Sequence, residues 1–78
     1  MTETNADSLA EQALRVLRQK RAPAAVMLVG DRVAVVANTP ADIAIMQGAG
    51  GELVGVYTAA VPLEYLAEDI QAAAEAVA

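Results

Sequence analysis

The sequence predicts a small α/β (α+β) sandwich, with elements in the order helix-strand-strand-helix-strand-helix and one domain over residues 1–78. Three observations predict it. The stretch AAVMLVGDRVAVVAN, residues 24–38, holds two valine-rich apolar runs broken once by Gly30-Asp31-Arg32, which is the pattern of an antiparallel hairpin. A helical pattern precedes this hairpin. After it come two more helical patterns, the first opening at Pro40 and the second at Pro62, with a short apolar run, Glu52–Thr58, between them.

The first seven residues are polar and acidic and are expected to be flexible. Ser8-Leu9-Ala10-Glu11 matches a capping box, in which the serine oxygen accepts from a backbone N–H and the glutamate reaches back. A helix is expected from about Leu9 to Arg21, with Leu9, Ala13, Leu14, Val16 and Leu17 toward one face. Acids stand at its start and Arg15, Arg18, Lys20 and Arg21 at its end, which complements the helix dipole.

In the hairpin, Gly30-Asp31 suits a two-residue type II′ turn. That turn pairs Val29 with Arg32, Met27 with Ala34 and Ala25 with Val36. A turn at Asp31-Arg32, or one of three residues, would exchange part of these assignments. Alternation then places Val26, Leu28, Val33 and Val35 on one face. The other face takes Ala25, Met27, Val29, Ala34 and Val36, with Arg32 at its edge. Both faces are apolar, so both need cover.

Thr39 suits the N-cap of the second helix, Pro40–Gln47, with Pro40 and Asp42 favourable in its first turn. Ile43, Ile45 and Met46 point in different directions around that helix, so it is expected to be buried or to lie at an interface. Gly48-Ala49-Gly50-Gly51 ends it. Gly55 inside the third strand allows a close approach from above. The last helix, about Pro62 to Val77, repeats apolar residues at Leu63, Leu66, Ile70, Ala73 and Val77.

Composition narrows the function. The chain of 78 residues is 56% hydrophobic, but 19 residues are alanine, two are tyrosine, and none is phenylalanine or tryptophan. Such small side chains bury little area each, which points to close helix packing or to help from a partner. The net charge of −5 disfavours nucleic acid as a partner. No apolar run approaches the roughly 20 residues of a membrane span. The absence of cysteine and of a basic leader-like start fits a cytoplasmic protein.

Catalytic, cofactor-binding and metal-ligating residues are all expected to be none. Without His or Cys, the usual general base, nucleophilic thiol and zinc ligands are missing. Ser8, the only serine, belongs to a cap. The glycine run ends a helix and lacks the lysine of a phosphate loop. Glu64, Glu68, Asp69 and Glu75 read as a solvated acidic face of the last helix.

Two sets of residues remain as candidates. Met27, Val29, Ala34, Val36, Ile45, Met46, Tyr57 and Tyr65 are candidates for an interface, since tyrosine anchors are common there. Arg18, Lys20, Arg21, Asn38 and Thr39 are candidates for contact with an anion or an acidic partner. From Leu9 to Thr58, about two thirds of the chain, the order of helix, hairpin, helix and strand resembles the opening half of the roadblock family. The final meander of that family is not seen ahead of the last helix. The resemblance implies a dimeric scaffold or regulatory partner without enzyme activity.

The expected function is therefore a non-enzymatic interaction or regulatory module that self-associates, as a dimer above all, or docks on a larger protein. The alternative is a small-molecule or anion binding protein, with its site at the start of the second helix or between subunits. An enzyme working through Asp or Glu alone is the weakest reading, because nothing pairs such a carboxylate with an activated nucleophile.

Overall fold

A computed structural model describes residues 5–76. Its elements are α1 (Ala6–Leu17), β1 (Ala24–Val29), β2 (Arg32–Ala37), α2 (Pro40–Gly48), β3 (Glu52–Tyr57) and α3 (Leu63–Ala76), in the expected order. The three strands form one antiparallel sheet in the order β2-β1-β3.

Helix α1 begins earlier and ends sooner than the sequence suggests. Its N-cap is Asn5, whose side chain accepts from the Ser8 backbone N–H at 3.1 Å, so Ser8 lies in the first turn and is not the cap. Asparagine caps as well as serine does, and an acceptor three residues earlier extends the helix by almost a turn. After Leu17 the chain turns away, leaving Arg18, Lys20 and Arg21 in the connection to β1. Residues 1–4 of the expected flexible start, and Val77 at the end of the last helix, lie outside the described residues.

The hairpin has the expected register, Val29 opposite Arg32, Met27 opposite Ala34 and Ala25 opposite Val36. Gly30 has φ +63° while Asp31 keeps a negative φ, the combination of a type II′ turn. Val26 and Leu28 form the core with Leu9, Leu14 and Leu17 of α1 and Leu66 and Ile70 of α3, and Val33 and Val35 pack against it. Val16, expected on the inner face of α1, instead stands among the exposed apolar residues.

Both β2 and β3 run antiparallel to β1, so they are parallel to each other with β1 between them. A connection between parallel strands must cross a sheet face, and α2 makes that crossing, touching all three strands. Thr39 caps it, accepting from the Asp42 N–H at 3.2 Å. At its other end the Gly51 N–H donates to Met46 C=O and the Gly50 N–H to Gln47 C=O, a Schellman closure with Gly50 at φ +93°.

Candidate interaction surface

The crossing of α2 divides the second sheet face into covered and open parts. Ala25 and Met27 are fully buried in the middle of that face, outside the α1–α3 core. Met27, expected at an interface, is thus covered within the single chain and has no exposed surface of its own. Around it Val29, Ala34, Val36, Ile43 and Met46 are half-buried. No residue of α2 is fully buried, and Ile45 is 69% exposed.

Two further residues belong to this surface. Leu53 is 37% and Val56 44% exposed, opposite Met27 and Ala25 respectively, and so both are on the α2 side. Simple alternation places residues three apart on opposite faces. A β-bulge makes the difference: Val26 faces Gly55 and Met27 faces Leu53, leaving Val54 as the extra residue. Gly55 inside the strand was the available sign of it.

The two tyrosines do not join this surface. Tyr57 lies on the other side of the sheet, half-buried against the α1–α3 core. Its hydroxyl donates to Asp69 Oδ2 of α3 at 2.6 Å. Burial, then the hydrogen bond and negative charge of Asp69, push the phenol above its usual range. Tyr65 is 63% exposed on α3. Of the eight candidate interface residues, Val29, Ala34, Val36, Ile45 and Met46 belong to the α2 side of the sheet, Ile45 exposed and the other four half-buried, while Met27 is buried there and the tyrosines sit elsewhere.

The basic candidates also separate. Lys20, Arg21 and Asn38 line a shallow cleft of about 450 Å³ where the α1–β1 connection meets the end of β2. Arg18 lines a different cleft, with Arg15 and Glu11. Thr39 is committed to Asp42, both as acceptor and through its hydroxyl, which donates to Asp42 Oδ2 at 2.6 Å. That carboxylate gives the start of α2 a resident negative charge. Glu64, Glu68, Asp69 and Glu75 are all exposed on α3, as expected.

Among the described residues, no group of three or more His, Cys, Asp or Glu is placed to hold a metal ion, and no helix is long and apolar enough to cross a membrane. No protein-family model matches the chain, and no curated protein or solved structure matches it at a significant level. The likeness in element order to the roadblock family is thus unaccompanied by a family match.

Proposed function

We propose that this domain is a non-enzymatic interaction module, of a scaffold or regulatory kind, that pairs with a second copy of itself, with the α2 side of its sheet in or near the contact. The observation that carries the reading is the open apolar surface there. Ile45, Leu53 and Val56 are 69%, 37% and 44% exposed, beside half-buried Val29, Ala34, Val36 and Met46. Apolar residues grouped on one side of a small domain mark an association surface, whereas scattered ones do not. A two-fold pair is the commonest way to close such a surface. The lack of His and Cys supports a role without catalysis.

Light scattering across a concentration series tests it. The expected mass is twice the 8.0 kDa of one chain. Ile45→Glu places a charge on a side chain that folding leaves exposed and should lower that mass, and Val36→Glu should split the pair or unfold the chain. A monomer for the wild type at high concentration overturns the reading.

A second reading has its own observation. The cleft of Lys20, Arg21 and Asn38 gathers two cations and an amide, a setting suited to a small anion. Titration with inorganic phosphate, followed by the amide signals of these residues, tests it, and unmoved signals reject it.

A further inference from the structure

The open surface does not say how two copies join, but the two edges of the sheet differ in a way that does. Both β2 and β3 are edge strands. The β3 edge is interrupted by the bulge at Val54, and bulges are a common device for blunting an edge against further pairing. The β2 edge has no such interruption. Its six residues, RVAVVA, hold an unbroken register against β1, contain no proline and carry one charge, Arg32, at the start.

The turn decides which groups of β2 face outward. A two-residue turn closes on a hydrogen-bonded pair, here Val29 with Arg32, and bonded and non-bonded pairs then alternate. Arg32, Ala34 and Val36 therefore exchange bonds with β1, while Val33, Val35 and Ala37 aim their N–H and C=O groups away from the sheet. The Ala37 carbonyl accepts from the Thr39 N–H at 2.8 Å. Neither Val33 nor Val35 has a backbone partner beyond the sheet among the described residues.

We propose that the β2 edge is the joint between copies: β2 pairs antiparallel with β2 of a second copy, making one continuous six-stranded sheet. This rests on the self-association reading above. A second copy fits this edge better than an unrelated strand for a reason of charge. Antiparallel pairing across a two-fold axis brings the start of one β2 against the end of the other. The two Arg32 side chains then stand at opposite ends of the joint. Each lies toward the start of the other copy's α2, where the Asp42 carboxylate supplies the opposite charge. Pairing β2 with β3 would set an even edge against a bulged one and would leave a free edge at each end, an open-ended assembly. Joining two β2 edges instead leaves the bulged β3 edges outermost. It also sets Ala34 and Val36 of both copies side by side on the α2 face, so the joint takes in the β2 part of that face and leaves Leu53 and Val56, on the outermost strands, outside it.

The test compares Val35→Pro with Val35→Ala. Proline removes an outward N–H and no bond to β1, while alanine trims the side chain and keeps the N–H. With circular dichroism confirming the fold, Val35→Ala should retain the mass of two chains and Val35→Pro should show half of it. If folded Val35→Pro still pairs, the β2 joint is wrong although the module reading survives. If the wild type is a monomer, both are wrong. Should Val35→Pro fail to fold, amide exchange of the wild type decides. Val33 and Val35 amides that are protected at high concentration and lose protection on dilution support the joint, and amides unprotected in the dimer overturn it.

Discussion

The Tyr57 ring folds back over Gly55 so that its hydroxyl reaches Asp69 at 2.6 Å, tying β3 to α3. A Cβ at position 55 would stand 2.7 Å from that hydroxyl oxygen and 2.9 Å from the ring carbon bearing it. Glycine costs a strand some stability through lost entropy and packing. Here it makes room for a side chain that joins the third strand to the last helix by a hydrogen bond.

Removing that bond should be measurable. Tyr57→Phe keeps the ring over Gly55 and loses the donor to Asp69, at a cost of about 1 kcal/mol for a partly exposed hydrogen bond. The urea midpoint should fall with no change in slope. An unchanged midpoint would show the bond to be inert.

The same pair sets an alkaline response. The folded phenol is held above the ordinary tyrosine value of 10.0, first by burial and then by Asp69. The unfolded chain therefore ionises first as the pH rises, and the stability Tyr57 contributes is complete below pH 10 and is lost above it. Midpoints measured on both sides of pH 10 should fall less steeply for Tyr57→Phe than for the wild type. Equal slopes would remove Tyr57 as the cause.

Gly55→Ala should destabilise the domain by about 1 kcal/mol, because the ring must leave Asp69 to make room. In a Tyr57→Ala background the same substitution meets no ring and should be neutral or mildly stabilising. Equal effects in the two backgrounds would mean that ring and glycine are uncoupled.

Gly30→Val places a β-branched residue at φ +63° and should cost about 1–2 kcal/mol or more. Thermal unfolding checks this. An unchanged melting temperature would argue that the turn can re-form with another geometry.

Thr39→Ala removes the oxygen that accepts from the Asp42 N–H and should cost about 1 kcal/mol. Amide exchange in the first turn of α2 should quicken with it. Unaltered exchange at Asp42 would mean that water replaces the cap without loss.

The hairpin, its turn, its register and the identity of its two faces were all legible in the chain, because Gly30-Asp31 and strict alternation are local signals. So were the Thr39 cap, the glycine end of α2 and the inner seam of α3 from Leu63 to Ala73. Other features depended on contacts remote in sequence. Asn5 and Ser8 are both competent caps, and which one acts depends on how far α1 runs along the core. Alternation alone puts Met27 on the same face as Val29 and Val36, and only the placement of α2 across the sheet buries it. The bulge that turns Leu53 and Val56 to one side arises from pairing with β1, whose Met27 and Ala25 precede them by 26 and 31 residues, and no local period records it. Residue types and short spacings thus determined the elements and which of their faces are apolar. The tertiary structure decided which of those faces the chain covers by itself and which it leaves open, because cover is a matter of where one element lies on another.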